Sequence, residues 1–136
     1  MPVTAGSIIT PQTPKAAVAG LTTGNTTFTT SPTNSVLLVT AGANGARLTR
    51  LVAVPLEQIN TANNIQAYRS QDSGATKYLF SSVLMATVTP GAAVANTGTD
   101  FGYSDDNPLI LLANERIYMA EGQTEAVNVI AEWADY

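Results

Sequence analysis

Between Ile65 and Phe80 two short runs with strand character flank a turn. Ile65-Gln66-Ala67-Tyr68-Arg69 alternates apolar and polar side chains, Tyr78-Leu79-Phe80 resumes an apolar run, and Asp72 and Gly74 lie between them. A period of two marks a half-buried strand, and Asp and Gly between two such runs mark a hairpin, so the chain is committed to antiparallel β structure. The same signals recur. Arg47 to Val54 alternates Leu48, Arg50, Val52 and Val54 with Arg47, Thr49, Leu51 and Ala53. Val127, Val129, Ala131 and Trp133 alternate with Asn128, Ile130, Glu132 and Ala134. Ser35 to Thr40 and Pro108 to Leu112 are apolar runs of strand length, and Arg116 to Ala120 is a further strand before the turn Glu121-Gly122-Gln123-Thr124. Asn44-Gly45 favours a tight turn, and Pro55 ends a strand or places it at an edge. Ser82 to Val88 either continues the strand before it or forms one helical turn. About eight evenly spaced strands predict an all-β protein, an antiparallel β-sandwich of jelly-roll type. No segment repeats, which argues against a propeller.

Residues 1–31 read differently. They are rich in Thr, Ala, Pro, Gly and Asn, and Pro2, Pro11 and Pro14 interrupt any regular element. Such a stretch predicts an extended N-terminal arm ahead of a sandwich domain at 32–136, either partly disordered or ordered on a neighbouring subunit. Thr26 to Thr30 is a candidate first strand, because Thr and Phe favour sheets.

Composition narrows the function classes. Of the 136 residues 45% are hydrophobic but only 12% are charged, against roughly 25% in an average domain. A weakly charged surface suits faces that meet other protein. There is no Cys and no His, which removes disulfides, thiolate chemistry, imidazole bases and the usual zinc ligands. The net charge is -4, and Lys15, Arg47, Arg50, Arg69, Lys77 and Arg116 are scattered, so no basic surface for nucleic acid is expected. The first residues lack the charged and apolar regions of a secretory signal, and no window has the length of an apolar membrane span. The expectation is a soluble protein made in the cytoplasm of its producer, with no membrane partner and no cofactor.

Three groups of residues invite a chemical reading. Ser70-Gln71-Asp72-Ser73-Gly74-Ala75-Thr76-Lys77-Tyr78 fits the Asp-box pattern of sialidase-like propellers, Ser-x-Asp-x-Gly-x-Thr-x-aromatic. A single copy is read as a turn: Asp72 bonds backbone amides two residues on and Gly74 takes positive φ. Asp100, Asp105, Asp106 and Asn107 form the densest set of oxygen ligands, but their spacing fits no EF-hand and suits a turn entering a strand. Asp72, Asp105, Glu115, Glu121, Glu125 and Glu132 offer many carboxylate pairs, a number that makes any one pair uninformative, so no catalytic residue and no metal ligand is assigned. Tyr68, Tyr78, Tyr103, Tyr118, Trp133 and Tyr136 serve either as core and interface or as a sugar-stacking platform.

At Ala46-Arg47-Leu48-Thr49-Arg50-Leu51, at Gln66 to Gly74 and at Asp100-Phe101-Gly102-Tyr103-Ser104-Asp105-Asp106-Asn107-Pro108-Leu109, the chain resembles small structural proteins of tailed bacteriophages and prophages. The resemblance runs from about Val36 to Tyr136. It implies a virion component, a head decoration or cement protein, β-rich and commonly a homotrimer, whose partner is the major capsid protein on the capsid surface. The alternative is a carbohydrate- or receptor-binding module of a tail fibre. Contacts are expected where the chain is long, weakly charged and poor at folding alone: Pro11, Thr13, Pro14, Val18 and Leu21 in the arm, and Val94, Asn96, Phe101 and Tyr103 in the Pro90 to Asp106 loop.

Overall fold

A computed structural model describes residues 10–136. Nine strands appear among them: β1 (Thr13–Leu21), β2 (Val36–Thr40), β3 (Ala46–Pro55), β4 (Asn63–Ser70), β5 (Tyr78–Met85), β6 (Thr99–Asp100), β7 (Leu109–Leu111), β8 (Arg116–Glu121) and β9 (Val127–Asp135). They form two antiparallel sheets. One runs β1-β9-β3-β6, with β7 also on β3; the other runs β2-β8-β4-β5. Between them lies a core drawn from both, including Leu48, Leu51, Val129 and Ala131 of the first sheet and Ile65, Ala67, Ile117 and Met119 of the second. Burying each large aliphatic side chain here contributes about 1.5–3 kcal/mol. The arrangement is sandwich-like, and no helix occurs among the described residues.

Period-2 patterning becomes the two faces of the strands. In β9 every odd position from Val127 to Asp135 is buried and every even one is half-buried. In β3 the alternation breaks. Its pairing with β9 shifts between Leu48 and Arg50, so Thr49 is an extra residue and Leu48, Leu51 and Ala53 all reach the core. The expected pairing of faces, Leu48 with Arg50 and Val52, fails at that bulge. Pro55 closes β3, where a missing N–H costs no ladder bond. Ser82 continues β5 as strand, and no helical turn forms there.

The expected arm is where the structure departs most from the sequence reading. Residues 1–9 lie outside the described residues, but Thr13–Leu21 is an edge strand paired with β9 at nine successive positions. Ala17 and Ala19 pack against the core and Leu21 is 1% exposed within it. Alternating small apolar residues after Pro14 supply a pleated inner face, and a proline is tolerated because the strand is an edge. Thr26 to Thr30 forms no strand. Asn25, fully buried, instead fastens this segment over the outward side of β4. Its Nδ2 donates to Gln66 Oε1 (2.8 Å), Tyr68 Oη (3.2 Å) and Thr27 O (2.9 Å), while its Oδ1 accepts from the Thr33 amide (3.0 Å). Backbone groups that a strand would use are held by an amide side chain, which Asn is suited to do.

Candidate functional site

Two exposed surfaces stand out, and the first is the outward face of the β1-β9-β3 sheet. Register places its side chains in rows: Pro14, Ala134, Arg47 and Ile110; then Ala16, Glu132 and Arg50; then Val18, Ile130 and Val52; then Gly20, Asn128 and Val54. Val18 is 63% exposed at the middle of the β1 row. On β1, β9 and β3 charge is confined to one end of this face, and Asp100 of β6 adds an exposed carboxylate beyond Val52. Arg50 Nη1 meets Glu132 Oε2 at 2.7 Å, with both side chains about half exposed, so the pair contributes well under about 1 kcal/mol. Arg47 donates to the Asp105 carbonyl. Arg47, Asp105 and Glu132, with Pro11, Pro14 and Thr49, border an open groove of about 600 Å³.

Expected contact residues scatter around this face rather than share one spot. Pro11 and Pro14 line the groove, which Asp105 of the long loop also reaches. Thr13 is exposed at the start of β1. Leu21 is a correction: it belongs to the core and offers nothing to a partner. Val94 is exposed in a small Gly91–Val94 turn, and Asn96 donates its Nδ2 to the Pro55 carbonyl (2.8 Å), tying the loop to the end of β3. Phe101 and Tyr103 are half-buried against the core, where they hold the loop down. The sequence reading missed Ala16, Arg47, Arg50, Ile130 and Glu132. Their signal was present in the second set of each alternation, since a strand whose one face fills the core must present the other.

The Asp-box segment is a fastened hairpin. Gly74 N donates to Ser70 Oγ (2.8 Å), Thr76 N to Asp72 Oδ1 (2.8 Å), and Ser70 Oγ bonds the same carboxylate oxygen (2.9 Å). These bonds, the Thr76 amide foremost, hold the Asp72 carboxyl below its ordinary range. Ser73 and Gly74 have φ of 60° and 92°, and a Cβ on Gly74 would strike Tyr118 Oη and lie 2.9 Å from its Cζ. Only glycine fits.

At the root of that hairpin Arg69 and Glu115 form a two-pronged pair, Nη2 to Oε1 at 2.5 Å and Nε to Oε2 at 3.0 Å. Glu115 is fully buried and also accepts from the Leu112 amide (3.0 Å) and Gln71 Nε2 (3.3 Å). Burial works to raise its pKa, but Arg69 and these donors outweigh it and leave the carboxyl lowered. At the far end of β8, Glu121 is equally buried. Burial, aided by the nearby Glu57 and Glu125 charges, pushes its pKa up to about 7 against the Asn63 Nδ2 bond of 2.9 Å.

The other chemical readings have plain structural outcomes. Asp100 Oδ1 accepts from the Gly102 amide (2.8 Å) and Asn107 closes a turn on Ser104, and no group of three or more acidic side chains among the described residues is placed to hold a metal. Tyr68 and Trp133 are buried, so the six aromatics make no common exposed platform. No helix among the described residues is long and apolar enough to cross a membrane.

The second surface is the outer edge of β5. Leu79 and Leu84 are exposed on its outward side, and Tyr78 is exposed at its start. No family model, curated protein or solved structure matches this chain.

Proposed function

We propose that this chain is a structural protein of a tailed-phage virion, a head decoration protein with a jelly-roll fold that binds the assembled capsid and stabilises it. Strand order supports the fold: β1-β9-β3-β6 over β2-β8-β4-β5 has four principal strands per sheet, and consecutive strands cross between the sheets except at the β4-β5 hairpin and from β6 to β7, an order that fits two nested Greek keys. Jelly rolls serve viral capsids and lectins alike, so the fold by itself is an analogy. The observation that carries the function is the open face of the first sheet, where Val18, Ile130, Ala16 and Gly20 form an almost uncharged strip beside a proline-edged groove. A protein that binds only the assembled lattice stabilises it by mass action, with no chemistry required.

Deleting residues 1–22 is no test of this reading, because it removes β1 and uncovers the edge of β9. Val18→Glu is the better probe: it puts a charge in the centre of the strip at a position whose side chain is largely in solvent. Binding of the purified variant to purified phage heads should weaken at least about tenfold, with an unchanged melting temperature. Unchanged head occupancy would overturn the assignment of this face, and immunogold labelling confined to the tail tip would overturn the decoration role.

A further inference from the structure

The end of the sandwich where β8 turns into β9 is closed by polar bonds rather than by apolar packing. The turn, Gly122-Gln123-Thr124-Glu125-Ala126, has no large apolar side chain and no buried residue. Four neighbours fasten it. Asn63 Oδ1 accepts from the Gln123 amide (2.9 Å), Glu57 Oε1 from the Ala126 amide (2.8 Å), Glu121 Oε1 from the Glu125 amide (3.4 Å) and Asn64 O from the Gly122 amide (2.8 Å). The segment that follows β1 docks on the same turn: the Gly24 amide donates to Thr124 Oγ1 (3.1 Å) and the Asn25 amide to Glu121 O (2.5 Å).

The Glu121 carboxyl lies where these segments meet. Glu121 is fully buried on the core side of β8 with Ile117 and Met119, and its Oε2 accepts from Asn63 Nδ2 at 2.9 Å. Two carboxylates face it, Glu57 from the segment after β3 and Glu125 from the turn itself. Residues 22–25 and the start of β4 bring no titratable group. Lys15, Arg47, Arg69, Lys77 and Arg116 stand at the opposite end of the sandwich, and Arg50 pairs with Glu132. A charge formed on Glu121 is therefore out of water, beside two like charges, with only amide donors to compensate it. The smallest rearrangement that admits water moves the turn, which has the least packing to lose.

We propose that Glu121 is the bolt of a pH-operated latch: while its carboxyl holds a proton the turn at 122–126 stays shut, and loss of that proton opens the turn, with the Gly24-Asn25 segment docked on it, while both sheets stay paired. The sign follows from linkage. Burial pushes the shut carboxyl up to a pKa of about 7, against an ordinary 4.5 once it is hydrated, so opening grows as pH rises from about 4.5 to about 7 and is level above that. The latch lies at the end away from the proline-edged groove and does not rest on the capsid reading.

Amide hydrogen exchange of the full chain at about pH 5 and about pH 7.5, corrected for the intrinsic pH dependence of exchange, reads the opening at each amide. The Asn25, Gln123, Glu125 and Ala126 amides should open at least about tenfold more often at the higher pH. There they should also exchange at least about tenfold faster than the Val129 and Ala131 amides of β9, a strand paired on both sides. In Glu121→Gln, which keeps an acceptor for Asn63 but cannot ionise, opening of the turn should no longer change with pH; the wild-type comparison stands without this variant. Equal opening at the two pH values, turn amides no faster than those of β9 at the higher pH, or a pH response that survives in Glu121→Gln overturns the latch. None of these readouts involves the capsid.

Discussion

The two ends of β8 hold the same chemical group in the same degree of burial and put it in opposite states. Glu115, just before the strand, and Glu121, its last residue, are both fully buried. Glu115 meets a guanidinium and is held below the usual carboxylate range; Glu121 meets the Asn63 amide, with Glu57 and Glu125 nearby, and no ion pair among the described residues involves it. Burial by itself raises a carboxyl pKa at either place. What differs is whether the folded chain brings a full opposite charge to compensate the lost hydration, and a neutral amide only partly does so.

Removing that charge should produce the largest effect. Arg69→Met keeps most of the side-chain volume but leaves Glu115 buried without its counter-ion, which turns one end of β8 into a likeness of the other. Because Arg69 itself is about a quarter exposed, the cost should fall at the low end of the buried-pair range, about 3 kcal/mol at pH 7. Urea unfolding reads it directly. Much of the loss should be recovered on acidification, as Glu115 without the Arg69 charge takes up a proton more readily. A loss under about 1 kcal/mol at pH 7 would show that Arg69 is dispensable and that the amide donors alone keep Glu115 ionised.

The Glu121 end should break the comparison from the other side. Its folded pKa of about 7 lies above the ordinary 4.5, so between those values the folded chain binds more protons than the unfolded one. Stability from this group is therefore full below about pH 4.5 and is lost as pH rises to about 7, by about 3 kcal/mol in all. Glu115, lowered, acts with the opposite sign: its contribution is present above the ordinary value and is lost as pH falls through the folded one. Glu121→Gln keeps the shape and an acceptor for Asn63 but cannot ionise. Unfolding free energies from pH 4.5 to 7.5 should flatten in that variant, and an unaltered slope would mean that Glu121 is not the group titrating there.

Much of this architecture was legible in the sequence, and the misses share a cause. The hairpin at Asp72 and Gly74 and the alternations of β3 and β9 rest on neighbours a few residues apart, which a sequence displays. Strand β1 was missed within the expected arm because Ala16, Ala17, Val18 and Ala19 are weak signals alone; they become a strand only when β9, over a hundred residues later, offers an edge. The Thr49 bulge and the pinning of residues 25–33 by Asn25 likewise depend on partners distant in sequence. Candidate contacts suffered most. Leu21 and Val18 look alike in the sequence, yet three positions along one strand put one in the core and the other in solvent. Period-2 phase, not residue type, decides which can meet a partner.

The smallest effect is the one that tests whether the ends of β8 are two sites or one. Six residues of strand at about 3.3 Å each separate the two carboxyls by roughly 20 Å along the strand, beyond the range in which substitutions usually couple. The hydrogen-bond partners do not overlap: Arg69, Gln71 and Leu112 at one end, Asn63 and Glu125 at the other. In Arg69→Met combined with Glu121→Gln, the two free-energy changes at pH 7 should therefore add to within about 0.5 kcal/mol. A larger deviation in the urea data would make β8 a rigid lever between its ends, and the contrast between Glu115 and Glu121 would then describe one coupled network with two protonation states instead of two independent environments.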